Sequence, residues 1–392
     1  MVYWLFIKKL IKKILPNILL DKIQIIRLQR KQRILQNIFN TNFDKYCLLV
    51  YITSPFIQGV DDTHQNKWQV VEFAKILSRF GYNIDVIDYN YCKTEFPNSY
   101  DLLIDIYPVG NRPFVNSLKD DCIEIAYMTG SDHEFSVSEE KKRIERVKDS
   151  RGVDLPVERI AVPISRDIEK MSAMFFIGNS YNLRSYKKFR LPPVYLIPNT
   201  GYKLAYDGSS RNKRAFLFFA SFGQIHKGLD LCLEAFAYHC SDLELYICSS
   251  FADEEEFCQA YHHELYECSN IHPIGFVDIA GKQFRDIYNY CCYCIMPSCS
   301  EGIAGSILTA MSVGIIPVVT PECGLDDGEY IPIQSATVEG VVDVIRECSQ
   351  RDSAWIKNKS DEVRSIIEKK YSKENYSKVI TKSLRKVLKI KG

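Results

Sequence analysis

Glu301 is the one acid in a turn of small residues that follows the apolar run Tyr293 to Met296. Gly302 and Gly305 come next, then a helix-like run, a stop at Gly314 and a second apolar run, Ile315 to Thr320. The start of a helix leaves backbone N–H groups unpaired, and the helix dipole adds positive potential there, so an anion can be held. A carboxylate beside such an anion site suits hydroxyl groups. The pairing suits a sugar nucleotide, with its diphosphate on the amides of Gly302, Ile303, Ala304, Gly305 and Ser306 and its sugar hydroxyls on Glu301. Without a ligand, the same pattern reads as a plain βαβ turn of a parallel sheet.

A cation stands at a similar junction. The apolar run Ala215 to Ala220 leads through Ser221-Phe-Gly-Gln-Ile-His-Lys-Gly-Leu-Asp230 into the helical pattern Leu231 to Tyr238. From such a strand-to-helix position Lys227 can aim a point charge at phosphate. The alternative is an exposed lysine at a helix start, where a cation opposes the macrodipole.

These segments resemble the donor site of the retaining GT-B glycosyltransferases of the family 4, or group 1, type. That family reads Pro-Ser-x-x-Glu-Gly, a Gly-containing loop, then Glu-Ala-Met-Ala-x-Gly-x-Pro-Val. Here Pro297, Ser298, Glu301, Gly302, Ala310, Met311 and Gly314 stand in register, and Pro317 and Val318 follow one residue later than the pattern has them. The family's second Glu, which contacts the nucleotide ribose, is Thr309 in this chain, leaving one possible hydrogen bond in place of a charged grip. The run around Lys227 resembles the "Gly-Arg-Leu … Glu-Lys-Gly" block that opens the C-terminal domain, with Ser221 in place of its phosphate-binding Arg and His226 in place of the acid before the Lys. The resemblance implies Lys227 on the donor diphosphate and Glu301 on the sugar, no metal and no further cofactor, and retention of configuration.

The elements that must position these residues read as α/β. Apolar runs at Tyr46–Thr53, Asn83–Asp88, Asp101–Ile106 and Ile123–Met128 alternate with helical patterns such as Thr63–Phe80. A second set follows at Ala215–Ala220, Leu243–Cys248, Ile271–Ile274, Cys292–Met296 and Ile315–Thr320. Alternation of this kind implies parallel, doubly wound sheets, with ligand loops at the carboxyl ends of the strands. One such loop carries Gly59, Asp61 and Asp62 and reads as the acceptor side. Another, Thr129-Gly-Ser-Asp-His133, carries a histidine that serves either as a surface or capping residue or, by the resemblance, near the donor sugar as a third catalytic group. The segment Tyr195 to Asn199 ends in Pro-Asn, similar to the family's exit from its first domain. The expected organisation is a basic amphipathic helical extension at 1–44 and a Rossmann-like acceptor-side domain at 45–203. A Rossmann-like donor domain follows at 204–370, and a final helix at 371–392 crosses back to the first domain. The two large domains would face a cleft, as GT-B implies.

Composition supports a globular chain of two ordinary domains: 392 residues, 46% apolar, 25% charged. The net charge of +1 hides a segregation, because residues 1–45 hold ten Lys and Arg against two Asp. On a helical wheel Tyr3, Phe6, Ile7, Leu10, Ile11 and Ile14 oppose Lys8, Lys9, Lys12 and Lys13. No apolar run reaches spanning length, and the order of charges does not suit a signal peptide. A basic amphipathic helix with Trp4 reads as an anchor on an anionic membrane surface; packing on the protein's own surface is the alternative. Asp21 to Phe39 continues as a second basic helix. The fourteen cysteines show one CxxC spacing, Cys291 to Cys294 inside an apolar run, and no Cys/His spacing that suggests zinc, which points to reduced core residues, the cytosol and a peripheral place on the inner membrane face. The expected activity is transfer of a sugar from a nucleotide-sugar donor to a glycan or lipid-linked acceptor, in surface polysaccharide or glycolipid assembly, with no nucleic-acid partner. A non-catalytic protein of the same fold, or a sugar-nucleotide epimerase, are the rival readings.

Overall fold

A computed structural model describes residues 32–61, 64–110, 112–160, 162–206 and 211–390. Twelve strands carry the architecture: β1 (Lys45–Tyr51), β2 (Tyr82–Asp88), β3 (Tyr100–Ile106), β4 (Leu118–Met128), β5 (Ala173–Ile177), β6 (Val194–Ile197), β7 (Asn212–Phe219), β8 (Glu244–Cys248), β9 (Ile271–Pro273), β10 (Cys291–Met296), β11 (Ile316–Val319) and β12 (Ile331–Pro332). They form two six-stranded sheets, ordered β2-β1-β3-β4-β5-β6 and β12-β11-β10-β7-β8-β9. Strand β1 pairs in parallel with β2 and β3, and β5 with β6. In the second sheet β7 pairs in parallel with β8 and β10, β8 with β9, and β11 with β10 and β12. The expected α/β class with two doubly wound halves is therefore observed.

Parallel strands are covered on both faces, so they need apolar residues at every position. Strand β10, Cys-Cys-Tyr-Cys-Ile-Met, is buried throughout, and the Tyr293 ring stacks on Phe216 of β7 at 4.9 Å. All fourteen cysteines are free thiols.

The described residues fall into two compact units. The first takes those up to Asp61, Asn66–Ile106 and the stretch ending at Ile125. Its edge strand β2 is covered by an extended segment: Leu35 and Val86 exchange backbone hydrogen bonds at 2.9 Å, and the Ile38 N–H reaches the Ile84 carbonyl at 3.0 Å. Residues 32–39 are thus not the end of a second basic helix. The unpaired edge of β2 offers backbone partners to an extended chain, and edge pairing of this kind outweighs the local helical pattern. The rest of the two expected N-terminal helices lies outside the described residues.

The second unit takes the remainder: residues 64–65, Tyr107–Gly110, and everything described from Ala126 on. It holds the carboxyl end of β4, strands β5 and β6, and the whole second sheet. The helix His133–Arg151 follows β4, and its arginines hold it in place. Arg146 bonds Asp230 at 2.7 Å and Glu234 at 3.1 Å, Arg151 bonds Glu264 at 2.5 Å, and Arg143 reaches the Ile225 carbonyl at 3.2 Å. The last helix, Lys373–Val387, lies along β6, with Tyr376 and Tyr127 joined through their hydroxyls at 2.9 Å. No described helix is long and apolar enough to cross a membrane.

Candidate functional site

All the contacts around Glu301 lie inside the second unit. The residue follows β10, and its side chain is 13% exposed. Its Oε1 receives a hydrogen bond from the Lys227 ammonium and another from Ser298 Oγ at 3.2 Å. His226 Nε2 stands 3.4 Å and an Arg159 guanidinium nitrogen 3.5 Å from the same oxygen. Burial alone would raise the pKa of this carboxyl. The Lys227 charge, the His226 hydrogen bond and the Arg159 charge outweigh it and hold the group well below the usual carboxylate range.

Lys227 closes a one-turn helix, Gln224–Lys227, and Gly228 separates it from the helix Leu229–Tyr238. The alternative reading, an exposed lysine at a helix start, does not hold: Lys227 lies at the end of one turn, and it is buried. Gly228 makes the arrangement possible. Its φ is +82°, and a Cβ there would sit 2.4 Å from the Pro297 carbonyl, so only glycine lets the turn close against the loop that carries Glu301.

His226 is 1% exposed. Burial lowers its pKa to about 4, with the Arg159 charge adding to that and Glu301 opposing it, so the ring is neutral at pH 7. Its Nε2 contacts the Ser300 carbonyl and must carry the hydrogen. Nδ1 is then the acceptor, facing Cys299 Sγ at 3.5 Å. That thiol is pushed up to about 12, chiefly by burial, and stays protonated to donate.

The helix Gly305–Ser312 begins beside this cluster. Its N-cap, Ala304, offers no side-chain acceptor to the first-turn amides, and the Gln65 side chain lies over Gly305, with Nε2 2.6 Å from where a Cβ would stand. Gly302 packs so closely that an added Cβ would lie 2.8 Å from Gly130 Cα and 2.9 Å from the carbonyls of Thr129 and Ile177. Asn199, of the Pro-Asn segment, holds the loop from the other side through Nδ2 on the Ile303 carbonyl at 2.6 Å.

The His133 loop is tied to the same place. Ser131 donates to the Glu301 carbonyl from its N–H at 3.2 Å and from Oγ at 2.7 Å, and Asn182 Nδ2 adds a third donor at 3.1 Å. His133 opens its helix, capped by Asp132, and its ring lies 4.4 Å from that of Tyr107. Its Nδ1 is buried without a hydrogen-bond partner, and burial lowers its pKa, with Arg159 acting in the same direction. Tyr107 adopts φ +50°, an uncommon conformation for a bulky residue, and its hydroxyl meets Thr129 Oγ1 at 2.8 Å.

The structure therefore brings together Lys227, Glu301, Gly302, Ile303, Ala304, Gly305, Ser306 and the loop of His133. Ser221 and Thr309 are placed otherwise. Ser221 is exposed, and its carbonyl accepts from Gln224 Nε2 at 2.9 Å. Thr309 is 1% exposed; its hydroxyl donates to the Gly305 carbonyl at 2.9 Å and accepts from the Tyr202 N–H at 3.3 Å. The ribose contact expected of Thr309 has no side-chain group left to make it. Gly59 and Asp61 belong to the first unit, where Asp61 pairs with Lys67 at 2.5 Å, and Asp62 lies outside the described residues. Sequence reasoning missed Arg159, which sits in a loop with no motif, and treated His226 only as a substitution. Among the described residues no three His, Cys, Asp or Glu side chains are placed to hold a metal ion.

Residues 213–350, from β7 through the helix Val338–Gln350, match the family Glycosyl transferases group 1. No curated protein matches the sequence. Solved structures share the fold. Sucrose-phosphate synthase from Thermosynechococcus elongatus superposes with a TM-score of 0.60 at 14% identity, over 88% of this chain and all of that one. Anabaena Alr3699/HepE, in complex with UDP and glucose, gives 0.55 at 10% identity, over 88% and 99%. TarM gives 0.53 at 13% identity, over 73% of this chain and 54% of its own, so the chain spans about half the length of TarM. The two-sheet architecture is thus that of GT-B glycosyltransferases.

Proposed function

We propose that the chain is a glycosyltransferase that takes a sugar from a nucleotide-activated donor. One observation carries the reading: a mostly buried carboxylate and a buried ammonium, Glu301 and Lys227, meet beside the uncapped start of the helix Gly305–Ser312. The group 1 match over 213–350 and a neighbour whose structure holds UDP and glucose support a nucleotide sugar as the donor. On arrival of the donor, Lys227 would leave Glu301 for the diphosphate, and the first-turn amides would take the remaining phosphate oxygens. Charge that develops on the leaving phosphate is then stabilised more than the ground state, which is what accelerates transfer. Glu301, freed from Lys227, would accept from the sugar hydroxyls, with neutral His133 at the same loop junction. Transfer with retention, without a metal, to a glycan or lipid-linked acceptor at an anionic membrane surface follows from the resemblance and from the basic N-terminal sequence. A place on the inner face of the membrane rests on the same two features.

A second reading, a non-catalytic protein of the same fold, is favoured by the exposed Ser221 and the buried Thr309. Both readings are separated by one experiment. The full-length protein is melted with UDP, GDP and ADP and with their glucose and N-acetylglucosamine conjugates, since a ligand of the folded state raises stability by mass action. The stabilising conjugate is then followed for turnover. Binding with turnover supports the transferase; binding without turnover in the presence of glycan and lipid-linked acceptors supports the second reading.

A further inference from the structure

We propose that Arg159 is the second phosphate-binding cation of the donor site, filling the role left vacant at Ser221. The inference rests on the donor-site reading above. A single lysine leaves a diphosphate poorly matched, because an ammonium offers a point charge where a guanidinium offers a planar fork. Residue 221 supplies no charge, since it is a serine. The fold brings another cation to that spot. Arg159 lies over the ring of Phe222, the residue after Ser221, with 5.7 Å from guanidinium carbon to ring centre. One guanidinium nitrogen stands 3.5 Å from Glu301 Oε1, the same oxygen that holds Lys227. The two cations thus converge on one atom.

Arg159 is placed by its backbone and has donors to spare. Its N–H is fixed by the Glu140 carboxylate at 2.8 Å, from the helix His133–Arg151. Its side chain is 29% exposed, yet Nε is buried and has no hydrogen-bond partner. A buried guanidinium donor without a partner is costly unless something completes it. A phosphate oxygen is an acceptor of the right charge. The Arg159 charge also acts on His133, Tyr107, His226 and Glu301, which places it among the site groups rather than on the periphery.

The test measures binding by the full-length protein of whichever of UDP, GDP and ADP binds the wild type, together with the matching nucleoside monophosphate. Arg159→Gln should weaken the diphosphate by about ten- to a hundredfold, the effect of removing one charged hydrogen bond, and the monophosphate much less. Ser221→Arg in the otherwise native chain should improve diphosphate affinity less than about twofold, because the role is already filled. Unchanged diphosphate affinity in the Gln variant, or equal loss of both nucleotides, overturns the proposal while the donor-site reading stands. Should the Gln variant fail to fold, the Ser221→Arg chain decides: a tenfold gain would mean that Arg159 does not serve. A wild type that binds none of the three diphosphates removes the donor-site reading itself.

Discussion

Ser131 holds the Glu301 carbonyl with two donors, Oγ at 2.7 Å and N–H at 3.2 Å, while the Glu301 side chain turns the other way to Lys227. The backbone of residue 301 is therefore fixed independently of its carboxylate. Changes confined to the side chain read out chemistry, and changes at Ser131 read out loop position.

Glu301→Gln should keep the loop in place and remove the charge. Affinity for a nucleotide sugar should fall by about tenfold, in line with the loss of a charged hydrogen bond. Affinity for the free nucleoside diphosphate should hold or rise, because Lys227 is released. Calorimetric titration of both ligands checks this; equal losses would mean a damaged loop.

Lys227→Ala removes one member of a buried pair and strands the other. Such a break typically destabilises by about 3–5 kcal/mol; Ser298, His226 and Arg159 remain near Glu301, so the lower end is expected. Adding Glu301→Gln should restore part of the loss, giving a positive coupling in a double-mutant cycle of chemical denaturation. Additive effects would show that the pair contributes nothing beyond its parts.

Acid should weaken the fold in two steps. His226 is held at about 4 against an unperturbed 6.5. The unfolded chain takes a proton in that interval and the folded chain does not, so stability is complete above pH 6.5 and falls toward pH 4 at up to ~1.4 kcal/mol per pH unit. Glu301, also held below its unfolded value, adds a loss at lower pH still. Urea midpoints between pH 7 and 4 check the first step, which His226→Gln should flatten.

Thr309→Val keeps the shape and deletes the hydroxyl. The part-buried Tyr202 N–H and Gly305 carbonyl each lose a partner, so a cost of about 1 kcal/mol is expected. Thr309→Glu should not tighten nucleotide binding, as the sequence comparison alone would suggest. At a position 1% exposed the longer, charged side chain should lower the melting temperature sharply.

Deletion of residues 2–15 should release the protein from anionic vesicles, and high salt should weaken binding of the full chain, since each lysine near such a surface contributes about 1 kcal/mol. Donor binding should survive the deletion, because the Glu301 cluster is built from residues 107–312. Vesicle sedimentation over a range of anionic content checks it. Full-length protein that stays in the supernatant at low salt would show that the helix packs elsewhere.

The sequence by itself determined the class of the fold and the two ends of the donor loop. Runs such as Cys292–Met296 and Ala215–Ala220 are apolar at every position, and only strands covered on both faces require that. Gly302 and Gly305 marked the turn and helix start because their spacing is local, and Lys227 was legible because its neighbours carry the pattern. Partners distant in the chain were not legible. Arg159 lies 142 positions from Glu301 in a loop without periodicity, and only the helix His133–Arg151, through Glu140, brings it there. Thr309 looked like a weakened ribose contact; burial and the Tyr202 N–H, 107 positions away, assign its hydroxyl to the fold. Residues 32–39 looked helical, and the open edge of β2 instead took Leu35 into a bridge with Val86, with a turn following at 37–39. Short-range pattern sets which elements form, whereas the pairing of charges and the filling of backbone hydrogen bonds depend on which distant segments the packed chain places side by side.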